Sequence, residues 1–466
     1  MMHLSKIKEK FAKTSRIGQQ KDWAGIKAYV KRLRWKYEER KKYQKWIKIH
    51  QLTENKRREI QRQIESFERK PKISVVMPVY NVEERWLRLA IESVINQFYP
   101  NWELCIADDC SSKPHVRRVL EEYAAQDKRI KVVFRAENGH ISTASNSALE
   151  LASGEFTALL DHDDELTEDA LYYIVKEIND FPDTSFIYTD EDMIDARGAR
   201  YDPKFKPDFS RDFFYSLNYT THLAGYRTEI LRKIGGFRVG AEGSQDYDLA
   251  LRVIEEINET QIRHIRRVLY HWRAIKGSVA LASEEKPYAH ERARESIRAH
   301  LERTGKKAIV SQSINEFHRV KYDLPENLPK TSLIISANED FNAARRTIKN
   351  FTENTDYQNF EIVLIGSERL KNALDNESFT TETKIIVCEA RDEAARLNFA
   401  AAQTSGEILC FVGANLKPLS ADWLKELISF ACQKEIGAVG AKLLSADEKI
   451  LRGGLIIGTS ETVSVA

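Results

Sequence analysis

The sequence Leu159-Leu160-Asp161-His162-Asp163-Asp164-Glu165-Leu166 lies at the end of an apolar run. The run predicts a buried strand, Phe156 to Leu160, and four acidic residues follow it within five positions. Carboxylates this close raise one another's pKa in a dry interior unless a cation or solvent neutralises them. Carboxylate oxygens suit Mg²⁺ or Mn²⁺, and Mg²⁺ is usually held by one or two carboxylates together with substrate phosphates. The stretch therefore predicts a metal and phosphate site at the carboxyl end of a strand.

A second interpretation of this stretch remains open. A short acidic loop can simply be solvated and lead into the next helix. Asp164 or Thr167 would then be the N-cap, because a side-chain oxygen at that position accepts a hydrogen bond from the first helical turn. The pattern Asp-x-Asp does not by itself separate the two interpretations.

Composition restricts the class of protein. A chain of 466 residues predicts roughly three units, and contents of 42% hydrophobic and 30% charged residues are typical of a soluble globular protein. No apolar run approaches the ~18 residues needed to cross a bilayer, and the first residues lack the apolar region of a signal peptide. We therefore expect a cytoplasmic protein. Its five cysteines form no Cys-x-x-Cys pair, which indicates reduced thiols rather than a zinc site or disulfides.

The first 70 residues differ in charge from the rest. They contain 22 Lys and Arg against 8 Asp and Glu, although the whole chain has a net charge of only +2. Apolar residues recur at helical spacing from Trp23 to Tyr37 and predict a basic amphipathic helix. Two interpretations remain open: the helix binds anionic lipid on the inner face of the cytoplasmic membrane, or it packs on the body through Trp23, Trp35 and Trp46. Nucleic-acid binding is disfavoured because no recognition motif accompanies the charge.

The sequence pattern changes after Lys70-Pro71-Lys72. Four apolar runs that predict strands are separated by helical patterns; the runs begin at Ile73, Trp102, Ile130 and Phe156. The alternation predicts an α/β fold with a parallel sheet, right-handed crossovers and ligands at its carboxyl edge. Asp108 ends the second run, so we expect it to lie in one cleft with Asp161 and Asp163.

Six motifs follow one another in this part of the chain. They are Pro78-Val79-Tyr80-Asn81, Asp108-Asp109-Cys110-Ser111, Asn138-Gly139 with Asn146, Asp161-His162-Asp163-Asp164, Gly243-Ser244-Gln245-Asp246-Tyr247-Asp248-Leu249 and Tyr270-His271-Trp272-Arg273. In this order they make residues 71–323 resemble family-2 glycosyltransferases of the GT-A fold. The resemblance implies a Rossmann-like domain for a nucleotide-diphosphate sugar, and a metal-dependent hexosyl- or deoxyhexosyltransferase.

The resemblance assigns roles to residues at the motif positions. The nucleotide-binding residues would be Pro78, Tyr80, Asp108, Asp161 and Asn146. Within this set Pro78 and Tyr80 would line the base pocket, Asp108 would accept a hydrogen bond from the base, and Asp161 would lie beside the ribose. Asp163 and His271 would bind Mg²⁺ or Mn²⁺ at the diphosphate. Taken alone, a histidine between Tyr270 and Trp272 also suits a packed aromatic cluster, and that interpretation remains open.

The acceptor needs a base. A hydroxyl must lose a proton as it attacks the anomeric carbon, so a carboxylate on the opposite side is required. Asp246 matches the family's base position, whereas Gln245 stands where the family more often has Glu. Asp248 is interpreted as a helix-start acid. With one base and no obvious nucleophile, the resemblance implies a single displacement with inversion.

The expected donor is a UDP-, GDP- or dTDP-linked sugar. The expected acceptor is a glycan or lipid-linked chain of a growing cell-surface polysaccharide, O-antigen-like chain or glycoprotein glycan. Two further segments are expected on the sugar or acceptor side: the acidic strand end 188–192 and the aromatic-rich segment 202–225. Two other functions remain open, a nucleotidyltransferase of similar fold and an inactive glycan-binding scaffold. The first would need a Gly-rich and basic loop after the first strand, which is absent.

The chain then repeats itself. Lys72-x-Ser74, Tyr99-x-Asn101-Trp102-Glu103 and Gly154-Glu155 recur as Lys330-x-Ser332, Tyr357-x-Asn359-Phe360-Glu361 and Gly406-Glu407. The residues expected to bind donor and metal do not recur; Pro78, Tyr80, Asp108, Asp161 and Asp163 become Ser336, Asn338, Gly366, Gly413 and Asn415. We therefore expect a degenerate, truncated second GT-A-like domain that serves packing, acceptor binding or self-association into a homo-oligomer.

The expected organisation has four parts. Residues 1–70 form a basic helical region, and residues 71–323 form the catalytic domain. Residues 324–329 are a proline-containing linker. Residues 330–466 form the degenerate domain.

Overall fold

A computed structural model describes residues 23–275, 287–314, 317–337, 340–374, 377–453, 455–457 and 463–465. Asn338 and part of the basic region, residues 1–22, lie outside them. The helices are α1 (Trp23–His50), α2 (Glu54–Ser66), α3 (Glu84–Ile95), α4 (Pro114–Gln126), α5 (His140–Glu150), α6 (Ala170–Asp180), α7 (Arg211–Ser216), α8 (Thr228–Lys233), α9 (Gln245–Val253), α10 (Pro287–Arg303), α11 (Phe341–Glu353), α12 (Glu368–Leu374), α13 (Glu393–Ala401) and α14 (Trp423–Ala431), with a 3₁₀ turn at Glu259–Gln261.

The strands follow the same order along the chain. They are β1 (Ile73–Val79), β2 (Trp102–Asp108), β3 (Ile130–Phe134), β4 (Phe156–Leu159), β5 (Glu165–Leu166), β6 (Phe186–Ile194), β7 (Arg200–Lys204), β8 (Ala224–Arg227), β9 (Ile262–Arg273), β10 (Ala308–Gln312), β11 (His318–Tyr322), β12 (Thr331–Ser336), β13 (Phe360–Gly366), β14 (Thr383–Val387), β15 (Ile408–Gly413), β16 (Leu443–Leu444), β17 (Ile450–Arg452), β18 (Leu455–Ile457) and β19 (Val463–Val465). Alternating strands and helices confirm the predicted α/β class.

The chain divides into two compact units. The first unit comprises the described chain up to His300 and, separately, Phe317. The second unit comprises Leu301–Ile314 and the described chain from His318 onward. Near the boundary between the units, β10 and β11 form an antiparallel hairpin. This hairpin groups with the second unit rather than ending the first.

The first unit is built on one large sheet of order β3-β2-β1-β4-β8-β6-β9-β5, with β7 paired to β6. The strands β1 to β4 are parallel, as expected. Beyond β4, where no strand pairing was predicted, the sheet becomes mixed, because β8 runs antiparallel to both β4 and β6. The register pairs Val79 with Asp108 and Val76 with Leu159, so the loops after β1, β2 and β4 leave from one edge.

Two expectations about acidic segments are wrong. Residues 188–192 do not end a strand but lie inside β6, where Asp190, Glu191 and Asp192 are buried. The helix after the opening stretch begins only at Ala170, so Asp164 is not its N-cap. The buried acids Asp164, Asp190, Glu191 and Asp192 therefore need partners other than solvent or a helix end.

The N-terminal helices pack on the first unit. Ile60 and Ile64 of α2 join its core, and Tyr43 of α1 is buried. Trp46 stacks on Tyr43 at a ring-centroid distance of 5.5 Å, whereas Trp35 is 61% exposed. Packing on the body is thus confirmed for Trp46 but not for Trp35, and the side chain of Trp23 lies outside the described residues. No helix in the described part of the chain is long and apolar enough to span a membrane.

The second unit repeats the arrangement of β1 to β4. Its sheet has the order β14-β13-β12-β15, matching β3-β2-β1-β4, and all its strands are parallel. The registers match as well, since Ile73 pairs with Trp102 and Phe156 where Thr331 pairs with Phe360 and Ile408. We call β1 to β4 the first block and β12 to β15 the second block.

Candidate active site

A pocket opens at the carboxyl edge of the first block. Its lining includes Pro78 from β1, Asp161 from the loop after β4, His222 from the segment before β8, and Asp246 from the first turn of α9. The pairing of β4 with β1 and β8 holds the first three on neighbouring strands. The fold therefore brings together residues that are up to 168 positions apart, and three of the four were predicted.

His222 lies between two carboxylates. Its Nδ1 is 3.1 Å from Glu191 Oε2 and its Nε2 is 3.8 Å from Asp161 Oδ2. Burial alone would lower the histidine pKa, but the charges of Glu191 and Asp161 raise the pKa of His222 to about 10. The imidazole is therefore cationic at neutral pH. It supplies a positive charge beside Asp161, which is 45% exposed to the pocket.

The carboxylate of buried Glu191 lies close to three cationic side chains. Besides His222, Lys206 Nζ lies 3.1 Å from Glu191 Oε2, and Lys204 Nζ lies 2.9 Å from Glu191 Oε1. Burial would raise the carboxyl pKa, but these charges hold the pKa of Glu191 well below its ordinary value. Sequence reasoning missed His222, Lys204 and Lys206. The sequence offers one signal for these residues. The acidic run of β6 is followed closely by basic residues, and buried carboxylates require cations.

Asp164 is engaged with the protein. Its Oδ2 accepts a hydrogen bond from Tyr270 Oη at 2.7 Å, and its Oδ1 accepts one from the Arg273 backbone N–H at 2.7 Å. Burial and the neighbouring Asp163 raise the pKa of Asp164 well above its ordinary value. Ligand atoms of Asp161, Asp164 and His222 do lie within 4.8 Å of one another. This trio is nevertheless a weaker candidate for a metal site, because the raised pKa of His222 opposes loss of its proton and each Asp164 oxygen already accepts a hydrogen bond from the protein.

Asp163 has the character expected of a metal ligand. Apart from its own backbone N–H, no described residue donates a hydrogen bond to the Asp163 carboxylate. Burial and the charge of Asp161 raise the pKa of the Asp163 carboxyl. A divalent cation would relieve both effects, so this carboxylate fits a hard metal such as Mg²⁺ or Mn²⁺.

His271 lies on β9 with its side chain 13% exposed. Its Nδ1 is 2.5 Å from Oδ1 of the fully buried Asp192. Because that bond places the proton on Nδ1, Nε2 keeps the lone pair that a metal would need. Strand pairing sets His271 opposite Glu165, two positions after Asp163. Within the described residues, no hydrogen bond or ion pair joins Asp163 to His271.

The predicted base-binding residues lie at the carboxyl ends of β1 and β2 and in the loop that follows β1. Tyr80 is 47% exposed, while Asp108 is buried at the end of β2 and accepts a hydrogen bond from the Ser111 backbone N–H at 3.3 Å. Asn81 ties the loop after β1 to the loop after β2, because its Oδ1 accepts hydrogen bonds from the backbone N–H groups of Ser112 and Lys113 at 2.9 and 3.1 Å. The two loops therefore form one rigid rim.

Asn146, predicted among the nucleotide-binding residues, is used elsewhere. Its Nδ2 donates to the Phe237 carbonyl and its Oδ1 accepts from the Phe237 backbone N–H, both at 2.7 Å. Both polar atoms of the amide thus bond one backbone unit. The neighbouring Gly236 has a φ of +67° and contacts the Asn146 side chain, which leaves no space for a Cβ. Asn146 supports the chain leading to α9 and is not part of the pocket lining.

Asp246 and Asp248 differ sharply. Asp246 lines the pocket and accepts a hydrogen bond from Asn218 Nδ2 at 3.2 Å. Burial and the nearby Asp161 raise the pKa of Asp246, although His222 opposes them. Asp248 is fully buried and pairs with Arg238 and with Arg252 Nε at 2.8 Å. Asp248 is therefore structural, and Asp246 is the carboxylate that can accept a proton from a ligand.

A family model agrees with this assignment of the domain. Residues 74–235 match the model described as "Glycosyl transferase family 2". The match covers the first block and ends before α9, so it includes Asp108, Asp161 and Asp163 but not Asp246 or His271.

Curated relatives have related descriptions. The chain is 42% identical to the uncharacterized protein y4gI of Sinorhizobium fredii, over 89% of this chain and 46% of the relative. It is 34% identical to the O-antigen biosynthesis protein RfbC of Myxococcus xanthus, over 84% of this chain and 31% of the relative. It is 31% identical to the putative colanic acid biosynthesis glycosyl transferase WcaA of Escherichia coli, over 42% of this chain and 73% of the relative. The chain thus spans less than half the length of the first two relatives.

Solved structures include S. aureus TarS 1-349 in complex with UDP-GlcNAc. It is 22% identical, and the match covers 50% of this chain and 73% of that chain with a TM-score of 0.39.

Proposed function

The chain belongs to glycosyltransferase family 2, and from that premise we propose that it transfers a sugar, with inversion, from a nucleotide-diphosphate donor to a hydroxyl group of a growing surface polysaccharide. The observation that carries the proposal is the convergence of Pro78, Asp161 and Asp246 in one pocket. Pro78 lies two residues before Tyr80 and pairs in the sheet with Ala107, the residue before Asp108. Asp246 supplies a carboxylate suited to accept a proton.

The donor would lie along the carboxyl edge of the first block. Pro78 and Tyr80 contact the base, Asp108 accepts a hydrogen bond from it, and Asp161 accepts one from the ribose. His222 is cationic and lies next to Asp161, so it adds positive potential where the diphosphate approaches. Asn146 is left out of this donor site because its amide bonds the Phe237 backbone and the residue does not line the pocket.

A divalent cation would be held by Asp163 and by Nε2 of His271. Bound there, the cation supplies the positive charge that a nucleoside diphosphate needs as a leaving group. Asp192 orients the His271 imidazole through Nδ1 and fixes its tautomer. Mg²⁺ and Mn²⁺ both suit this set of one carboxylate and one imidazole completed by phosphate oxygens.

Asp246 would act as the general base. Its raised pKa makes it a stronger proton acceptor than an ordinary aspartate, while it remains largely ionised above that pKa. Asn218 donates to one oxygen of this carboxylate, which fixes its position, and the carboxylate is proposed to receive the acceptor hydroxyl proton. Among the described residues that line the pocket, Asp161 is assigned to the ribose and Asp246 to the base, so no carboxylate remains for a nucleophile, which favours direct displacement and hence inversion.

The acceptor is proposed from the relatives. RfbC is described as an O-antigen biosynthesis protein and WcaA as a putative colanic acid biosynthesis glycosyl transferase. Both descriptions concern surface polysaccharides, so we propose that this chain extends a polysaccharide of that class.

The basic face of α1 is proposed to bind an anionic membrane surface where lipid-linked acceptors reside. The exposed residues of α1 include Arg32, Lys36 and the aromatic Trp35. Each well-placed cation contributes about 1 kcal/mol to such binding. We expect Arg32→Gln with Lys36→Gln to reduce flotation with anionic liposomes, and the matched pair Arg345→Gln with Lys349→Gln on α11 to leave it unchanged. Equal flotation of both variants would contradict the proposal.

Hydrolysis of a panel of UDP-, GDP- and dTDP-sugars, with and without Mn²⁺, tests the proposed function. We expect metal-dependent release of nucleoside diphosphate that falls by about 10²–10⁴-fold in Asp246→Asn when a glycan acceptor is present. Asp163→Ala should remove the metal dependence together with the activity, whereas the exposed Asp447→Asn should behave as wild type.

Three outcomes would contradict the proposed function. Turnover that survives both active-site substitutions would rule out the assigned residues. Release of pyrophosphate with transfer of a nucleotidyl group would indicate a nucleotidyltransferase. Binding of glycans without any turnover of the panel would indicate an inactive scaffold.

A further inference from the structure

Helix α1 reaches the candidate active site through one side chain. Among the described side chains of α1, Tyr43 is the only one that is buried, with 4% of its surface exposed. It lies against β7, where Gln44 Nε2 donates to the Arg200 carbonyl at 2.7 Å. Trp46 extends this contact, because its ring centroid lies 5.5 Å from that of Tyr43 and 5.3 Å from that of Phe205. The docking of α1 is therefore centred on Tyr43.

The Tyr43 hydroxyl is bound at a fixed position. It donates to Asp192 Oδ2 at 2.6 Å and accepts a hydrogen bond from an Arg200 guanidinium nitrogen at 3.1 Å. Arg200 Nε also donates to Asp192 Oδ2, at 2.6 Å. Burial and the nearby Asp192 raise the pKa of Tyr43, so the phenol remains protonated and keeps donating. The hydroxyl and the guanidinium together immobilise one oxygen of Asp192.

The other oxygen of Asp192 faces the active site. Its Oδ1 is 2.5 Å from His271 Nδ1, and the Asp192 side chain is fully buried. A carboxylate that is held by two donors on one oxygen can rotate little, so the direction of its other oxygen is fixed. That direction determines where the His271 ring points, because a hydrogen bond to Nδ1 sets both the tautomer and the ring orientation.

We propose that Tyr43 of the N-terminal helix is a positioning residue for the transferase site, acting through Asp192 to aim Nε2 of His271 at the metal. The inference rests on the proposed function, in which His271 is a metal ligand. It adds that α1, which lies outside the matched family domain, is a part of the functional unit. Loss of the Tyr43 hydroxyl leaves Asp192 with only Arg200 on Oδ2 and frees the His271 ring to turn.

Titration calorimetry with Mn²⁺ alone, on the full chain, tests this inference without relying on turnover. Removing an outer partner of a metal-ligating histidine typically weakens metal affinity by about 10- to 100-fold, and we expect Tyr43→Phe to fall near the lower limit of about tenfold. Tyr37→Phe is the matched control, because Tyr37 is on the same helix and is 58% exposed. It should bind Mn²⁺ as wild type does.

The double variant separates positioning from general stability. If Tyr43 acts through His271, then Tyr43→Phe should cause no further loss in a His271→Asn background. The same dependence should hold for Asp192→Asn, which keeps the shape of the side chain and provides a second test should Tyr43→Phe unfold. An equal loss in both backgrounds, or no loss in Tyr43→Phe alone, would overturn the inference.

Two outcomes distinguish this inference from the proposed function. If His271→Asn weakens Mn²⁺ binding and Tyr43→Phe does not, the metal site stands and only the role of Tyr43 is overturned. If the wild-type chain binds no Mn²⁺, the metal assignment of the proposed function fails and the inference fails with it.

Discussion

The first and second blocks share a fold but not a chemistry. In the first block Ser74 Oγ donates to Glu103 Oε1 at 2.7 Å and accepts from the Gly154 backbone N–H at 2.8 Å. In the second block, Ser332, Glu361 and Gly406 make the same two hydrogen bonds, at 2.6 and 3.0 Å. This buried network lies at the amino ends of the strands in both blocks. The fold therefore retains it whether or not the block carries donor-binding acids.

The carboxyl ends of the strands differ between the blocks. Asp108, Asp161 and Asp163 correspond to Gly366, Gly413 and Asn415, which offer no carboxylate. The raised pKa of Asp163 shows that its charge is unfavourable in the protein without a cation. The comparison separates two kinds of acid: Glu103 and its counterpart Glu361 form part of the network that both blocks keep, whereas Asp163 has no acidic counterpart and is proposed to bind a ligand.

We expect the largest effect when the difference between the blocks is removed at the proposed metal ligand. Asp163→Asn gives the first block the residue of the second, and we expect turnover of the preferred sugar nucleotide to fall by about 10³-fold, because a charge-stabilising group is lost. The unfolding free energy should fall little or rise, since an unfavourable charge is removed. The reciprocal Asn415→Asp should create no Mn²⁺ site in calorimetry, and a new site there would show that one acid suffices.

A smaller effect tests the shared network. Glu103→Gln and Glu361→Gln each remove a charged hydrogen-bond acceptor, and we expect each to lower the unfolding free energy of its unit by about 2 kcal/mol in urea titrations. Glu121→Gln, which is on the exposed face of α4, is the control and should change it by less than about 0.5 kcal/mol. A large loss for Glu103 but none for Glu361 would mean that the second block no longer needs the network.

Replacing either shared glycine by alanine should lower the unfolding free energy by about 1–2 kcal/mol through overpacking. A Cβ on Gly154 would lie 2.5 Å from the Lys72 carbonyl oxygen, and one on Gly406 would lie 2.6 Å from the Ser332 backbone nitrogen. We expect Gly154→Ala and Gly406→Ala to lower the thermal midpoint similarly. Gly437→Ala meets nothing within 4 Å and should be neutral, so an equal drop in this variant would show that the contacts are not responsible.

The most gradual effect is the response to acid. Burial opposes ionisation of Glu103, but Lys131 and the Ser74 hydroxyl lower its pKa from 4.5 to about 2. Its stabilising contribution is therefore complete above pH 4.5 and is lost as the pH falls towards 2, with a slope of at most about 1.4 kcal/mol per pH unit. Urea titrations at several pH values in this range give the unfolding free energy as a function of pH. Its slope against pH should be shallower in Glu103→Gln than in the wild type, and an identical slope would contradict the assignment.

Much of the first block could be predicted from the sequence. The strands β1, β2 and β4 are mostly apolar, and the acids at or after their carboxyl ends contrast with that background. Asp108, Asp161 and Asp246 could be placed because each occurs in a short motif within a few positions of an element boundary. The repeat could be recognised because it retains the residues of the buried network.

The remainder depends on contacts between distant segments. His222 has no motif of its own, and its role arises from Asp161 and Glu191, which reach it from two other strands. Asn146 was misassigned because a motif fixes a position in the chain but not the partner of a side chain, here the Phe237 backbone. The antiparallel strand β8 could not be foreseen either, since its four residues carry no periodic signal.

The bond between Tyr43 and Asp192 has a consequence for protein engineering. Donor specificity in modular enzymes is often altered by exchanging segments, and a family match suggests the crossover points. A chimera that joins residues 74–235 of this chain to another N-terminal region would separate Asp192 and Arg200 from the helix that holds them. The segment that must be inherited together therefore extends upstream to α1, and a recombination point placed between Tyr43 and Asp192 would have to restore the lost phenol.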